Sequence, residues 1–228
     1  MDRRSLPIPQ LGCVRLALAM LLAFAAPGGA AFAQGAAQAA VPRNRPASAQ
    51  ALLGSQPKDV VEELMEERLV LMQTSAADKG LVEALVLFSR PPEEVWPLLI
   101  QRERQKEYRP ELTSVEIVSR EENALVEEQH LKIAFLSIGY RLRDRFDPAL
   151  RTLTFELDPN YESQLEHVSG YWELHALDGG RTLARFGTRV SVSPAVPGFL
   201  QNGITRKNVP ETLDNTRQWV DSDGKWRP

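Results

Sequence analysis

The sequence predicts a single α+β domain in which an antiparallel sheet packs against a long C-terminal helix. Three observations predict it. Tyr140, Leu142 and Phe146 alternate with Arg141, Arg143 and Arg145; Leu153, Phe155 and Leu157 alternate with Thr152, Thr154 and Glu156; Trp172, Leu174 and Ala176 alternate with Tyr171, Glu173 and His175. Period-two runs of this kind put apolar side chains on one face of a strand and polar ones on the other, so these strands share one buried face. Between them, Asp147-Pro148 and Asp178-Gly179-Gly180 are turn signals, which join neighbours as antiparallel pairs. Beyond Pro194 and Pro197 the pattern becomes helical, with Leu200, Ile204, Val209, Leu213 and Val220 forming one stripe. Pro210 predicts a kink or break near Lys207–Pro210.

The remaining elements follow in chain order. Arg3 and Arg4, the apolar run Leu16–Ala26 and the small-residue site Ala31-Phe32-Ala33 make residues 1–33 a cleavable signal peptide. The run stops at Pro27, Gly28 and Gly29, short of the roughly 20 apolar residues that span a bilayer. Export to a periplasmic or extracellular compartment follows. Cys13, the only cysteine, lies within that segment, so no disulfide is available and stability must come from the core. Residues 34–56, rich in Ala, Gln, Pro and Gly, read as a flexible tether. A short helix is expected near Pro57–Glu67, then a hairpin of Arg68–Gln73 and Val82–Phe88. Pro91-Pro92-Glu93-Glu94 opens a helix with Val95, Leu98 and Leu99 on one face, expected to run to about Tyr108 before Pro110 stops it. Ser114–Ser119 returns to strand. Ala184, Phe186, Thr188 and Val190 face inward on the last strand. The domain spans residues 57–222, and 223–228 form a disordered tail.

Charge and residue chemistry narrow the function. The chain holds 27 Lys+Arg and 30 Asp+Glu, and without the signal segment it stays mildly acidic, so nucleic acid is not an indicated partner. His130, His167 and His175 are the whole histidine supply, none spaced with Cys, His or carboxylates as a zinc site requires. His175 falls on the polar side of its strand and His130 stands in the polar run Glu127-Glu128-Gln129, so both read as surface residues. Nothing pairs a nucleophile with a base, and no cofactor motif is present. The Arg141, Arg143 and Arg145 ladder reads as a mixed solvated face.

Four stretches carry a family resemblance. They are Ser89-Arg90-Pro91-Pro92-Glu93-Glu94-Val95-Trp96 with Tyr108-Arg109-Pro110-Glu111-Leu112; Phe146-Asp147-Pro148; Gly170-Tyr171-Trp172-Glu173-Leu174 with Asp178-Gly179-Gly180-Arg181-Thr182; and the helix around Pro210. In this order they resemble the START-like (SRPBCC) superfamily over about Arg68 to Val220, particularly its polyketide cyclase/dehydrase and coenzyme-Q-binding-like branch. The resemblance implies the helix-grip fold, a curved antiparallel sheet wrapped around the C-terminal helix, with a cavity between them for an apolar small molecule or lipid. Trp96, Tyr108, Tyr140, Phe155, Trp172, Phe186 and Phe199 are the residues expected around that cavity, because aromatics bring large apolar area and Tyr and Trp add a polar handle. The leading expectation is an exported binding module for a lipid, isoprenoid quinone or other apolar molecule. The alternatives are a cyclase, aromatase or dehydratase in which Tyr140 and Asp144 move protons, and a partner-binding domain with a filled core.

Overall fold

The computed structural model describes residues 45–72, 81–133, 136–163, 165–192 and 208–228. The expected signal peptide, most of the expected tether, Phe199, Leu200 and Ile204 lie outside the described residues. An eight-stranded antiparallel sheet runs β1 (Leu69–Met72), β2 (Leu81–Phe88), β3 (Leu112–Arg120), β4 (Ala124–Ile133), β5 (Leu136–Asp147), β6 (Thr152–Leu157), β7 (Leu165–Leu177) and β8 (Arg181–Val192) in the chain, ordered β1-β2-β8-β7-β6-β5-β4-β3 in space. The hairpins expected at Asp147-Pro148 and Asp178-Gly179-Gly180 are present; Gly179 and Gly180 both have positive φ, which glycine adopts without strain. The long crossover is β2 to β3. It holds α3 (Pro92–Leu99) and a 3-10 helix (Arg102–Glu107).

The helix opened by Pro91-Pro92 therefore ends earlier than expected. Pro97 lies inside α3, Ile100 caps it, and the chain tightens into three residues per turn. The C-terminal helix α4 is described over Asn208–Asp221, with Pro210 in its first turn. It covers the concave face, where Leu213, Trp219 and Val220 join Val86, Phe88, Val95, Leu153, Trp172 and Ala184 in the main core. Residues 223–228, expected to be a disordered tail, are instead pinned there: Trp226 packs against the same core and Arg227 contacts Glu107 at 2.7 Å.

The convex face is covered as well. Within the expected tether, α1 (Ala49–Gly54) is capped by Ser48, whose hydroxyl accepts from the Ala51 N–H at 3.1 Å. With α2 (Lys58–Glu67) it supplies Ala49, Leu52 and Leu64 to a second cluster against Val70, Leu85, Leu87 and Leu183. Arg45 reaches further, donating to the Thr152 hydroxyl and to the Leu174 carbonyl. This arm corrects the surface reading of His175, which is 6% exposed; Glu173, on the same side of the strand, is fully buried. β7 keeps its alternation in sequence, but the polar side of the strand is buried as well as the apolar one.

Candidate functional site

Between the concave face and α4 lies a cavity of about 170 Å³, of the order of the roughly 150 Å³ apolar void that admits a benzene ring. Its wall is mostly apolar: Leu131, Ile138, Leu142, Phe155, Leu165, Val168, Trp172, Phe186 and Val190 from the sheet, with Val209 and Leu213 from α4. These residues follow strand alternation, so consecutive odd or even positions of one strand share the cavity. Phe155 fits only because Gly170, its cross-strand partner, has no side chain: a Cβ there would stand 2.1 Å from the ring.

Five of the expected residues come together here: Tyr108, Tyr140, Phe155, Trp172 and Phe186. Trp96 does not line the cavity. It sits in the packed core edge-on to Phe146, ring centroids 6.5 Å apart. Phe199 lies outside the described residues. Trp172 serves both roles, lining the cavity while packing 4.8 Å from the Phe186 ring and 6.3 Å from Phe88.

One end of the cavity is polar, and its origin is the 3-10 helix. Three residues per turn put Arg102, Gln105 and Tyr108 along one edge, facing the cavity and the sheet. Arg102 donates through Nε to Asp144 Oδ2 at 2.7 Å and through Nη2 to Glu127 Oε1 at 2.8 Å. Gln105 donates to Glu127 Oε2 at 2.9 Å, Gln129 donates to Glu127 Oε1 at 2.7 Å, and the Tyr140 hydroxyl donates to Gln129 Oε1. Arg109 donates to Gln105 Oε1 at 2.9 Å and to Glu111 Oε1 at 2.8 Å, and Glu111 also accepts from the Thr212 hydroxyl of α4 at 3.4 Å. Glu127, Gln129 and Asp144 are essentially without solvent exposure.

Electrostatics follow from that burial. Burial raises the Asp144 carboxyl, Arg102 pulls it down and Glu127 pushes it up again, leaving it at about 8. Burial also works against the Arg102 charge, but Asp144 and Glu127 more than offset it, and its pKa is raised. Tyr108 and Tyr140 are both raised, chiefly by burial. The phenols therefore remain protonated donors.

Sequence reasoning found Tyr140 and Asp144 and missed Arg102, Gln105, Glu127 and Gln129. The run Glu127-Glu128-Gln129-His130 reads as surface in sequence, yet it is the middle of β4, with alternate residues pointing into the network. The alternate residues Glu128 and His130 face the other way and are half-buried: His130 meets the Ser114 hydroxyl at 2.9 Å, and Arg141 pairs with Glu128 at 2.8 Å beneath a stacked Tyr161 ring. Among the described residues no group of three or more His, Cys, Asp or Glu side chains could hold a metal ion, and no helix is long and apolar enough to cross a membrane.

A curved sheet gripping a helix around a half-apolar cavity defines a START-like protein. The sequence agrees at the level of family: the model described as polyketide cyclase / dehydrase and lipid transport matches residues 80–217. The chain belongs to that family. Among solved structures, the Zhui aromatase/cyclase from Streptomyces sp. R1128 is 19% identical, with a TM-score of 0.55 over 62% of this chain and 93% of that one. A START superfamily protein from Mycobacterium smegmatis is 16% identical, with a TM-score of 0.52 over 62% and 97%. A STAR-related lipid transfer protein from Xanthomonas axonopodis is 12% identical, with a TM-score of 0.52 over 67% and 98%. At these identities the likeness is one of fold. No curated protein matches the sequence.

Proposed function

We propose that the chain is an exported binding protein for an apolar small molecule, such as a lipid, an isoprenoid quinone or an aromatic of similar polarity. The observation that carries this reading is the cavity itself, about 170 Å³ with a wall of Leu, Ile, Val, Phe and Trp side chains. At roughly 25 cal/mol per Å², burying about 200 Å² of ligand contributes about 5 kcal/mol before ordering costs, enough for a carrier that must release its cargo. A ring or the end of a chain fits inside; a long isoprenoid tail would extend beyond it.

The enzymatic alternative rested on Tyr140 and Asp144. Tyr140 is on the wall, but Asp144 does not line the cavity and is held behind Arg102. Proton transfer needs the acid within hydrogen-bond reach of the reacting group, so this pair does not supply an acid–base couple. Binding is the better-supported role.

The test is to produce the protein by export in a bacterial host and to determine its first residue, expected to be Gln34. Native and denaturing mass spectra, with organic extracts, are then compared for the wild type and for Val190→Phe, which fills the cavity. A stoichiometric apolar passenger in the wild type, absent from a still-folded Val190→Phe, is expected. A wild type that carries nothing and takes up nothing from a lipid and quinone mixture would overturn the reading.

A further inference from the structure

The polar end of the cavity constrains the charge of whatever binds there. Two guanidinium groups, Arg102 and Arg109, face three carboxylates, Glu111, Glu127 and Asp144. Each guanidinium is already paired, Arg102 with both buried carboxylates and Arg109 with Glu111. Among the described residues lining this end, no positive charge is left over. An anionic ligand group would enter a low-dielectric space where both described guanidinium groups are already compensated, and Glu111 would stand beside it on the wall. The raised pKa of Asp144 is consistent with this balance, since one retained proton brings the cluster to neutrality.

A hydrogen-bond donor, by contrast, is available. The Tyr108 hydroxyl donates to no described residue, and the Arg109 guanidinium, paired with Glu111 and Gln105, also lies beside the Tyr140 hydroxyl. Tyr108 and Arg109 both line the cavity. A neutral acceptor reaching the Tyr108 hydroxyl would meet a donor in an apolar setting, where such bonds are strong. A hydrocarbon would leave it unmet, and a carboxylate would meet it only at the cost of Glu111.

Building on the binding role proposed above, we propose that Glu111 sets the charge class of the ligand: by neutralising Arg109 it makes the site select an uncharged molecule with a hydrogen-bond acceptor, such as a carbonyl, at its buried end, and reject carboxylates. Glu111 itself is a positioning and specificity residue. It joins the sheet side of the cavity to α4 through Thr212, so the pairing is fixed when the helix is in place.

Four naphthalenes of similar shape distinguish the possibilities: 2-acetylnaphthalene, 2-ethylnaphthalene, 2-naphthoate and 2-(aminomethyl)naphthalene, titrated calorimetrically into the full-length protein at pH 7. The ketone is expected to bind about tenfold more tightly than the ethyl compound, and both charged compounds at least about tenfold more weakly than the ketone. Glu111→Gln leaves Arg109 unpaired, and is expected to raise naphthoate affinity about tenfold while leaving the ethyl compound unchanged. Tyr108→Phe is expected to bring the ketone toward the ethyl compound. Retained binding of 2-ethylnaphthalene shows that each variant is folded, and if a variant does not fold the wild-type series decides alone. Naphthoate or the amine binding as tightly as the ketone, or Glu111→Gln leaving naphthoate unchanged, overturns the proposal and leaves the binding role intact. If none of the four binds, 2-ethylnaphthalene included, the binding role itself falls.

Discussion

The two faces of the sheet bury polar groups in opposite ways. On the concave face, the carboxylates of Glu127 and Asp144 are met by Arg102, Gln105 and Gln129, and one carboxyl oxygen, Asp144 Oδ1, is left without a partner. On the convex face, under α1, both oxygens of Glu173 and Nε2 of His175 have none among the described residues. The concave face lies within the span matched by the family model, whereas the arm from Arg45 to Glu67 precedes it. Burial alone therefore does not define a site. The network that is satisfied but for one oxygen presents donors to a cavity, while the largely unsatisfied one lies beneath a packed arm.

Breaking the concave network should have the largest effect. Arg102→Met removes the partner of buried Asp144 and Glu127 and is expected to cost about 3–5 kcal/mol at pH 8 by urea denaturation, and less at pH 5, where Asp144 is protonated. Asp144 is the counterpart. Its folded pKa, about 8, lies above its ordinary 3.8, so the folded state holds the extra proton and the group's contribution to stability falls as pH rises from about 4 through 8. Asp144→Asn mimics the protonated form without the ionisation that favours the unfolded wild-type chain; its stability should exceed the wild type's at pH 7 and show a flatter profile between pH 6 and 9. A steep profile in that variant would place the proton elsewhere.

The arm should matter to stability and not to binding. Leu52 is 2% exposed, and Leu52→Ala is expected to lose about 2–3 kcal/mol of unfolding free energy, with ligand affinity unchanged. A matching loss of affinity would show that the two faces are coupled through the sheet.

A smaller effect separates the faces by pH. Burial, with Arg45 and Arg185 nearby, depresses the folded pKa of His175 to about 4 from 6.5. The folded state thus excludes a proton that the unfolded chain takes up: its stability is intact above about 6.5 and is lost as pH falls toward 4, by on the order of 2 kcal/mol. Glu173, raised chiefly by burial, acts in the opposite direction. His175→Gln should reduce the acid loss of melting temperature between pH 7.5 and 5, and Glu173→Gln should enlarge it; identical pH profiles for all three proteins would remove the convex face from the acid response.

The fold was legible wherever one face of an element stayed in contact with solvent or a turn residue marked its end. β5 and β6 show their alternation, and Asp178-Gly179-Gly180 marks the β7–β8 turn. The site was legible only in its apolar part. Leu125, Glu127, Gln129 and Leu131 form one face of β4, but two of the four are polar, so no period stands out; what makes them interior is Arg102 and Gln105, more than 20 residues earlier. The three-residue spacing of Arg102, Gln105 and Tyr108 was a usable signal, but a predicted α-helix reads it as a solvated stripe. The arm was missed for a different reason. Its Ala- and Gln-rich sequence resembles a linker, and only Leu52, Leu53 and the Ser48 cap mark it as something that docks.

The volume of the cavity depends on an atom that is missing. Since a methyl group at Gly170 would occupy the place of the Phe155 ring edge, any side chain there must drive the ring into the space a ligand would use. The backbone carbonyl of Gly187, 2.6 Å from the same point, blocks the other way out. Position 170 is thus a gauge block for the pocket: its smallest possible occupant gives the roomiest interior, and even one methyl there meets both the Phe155 ring and the sheet backbone.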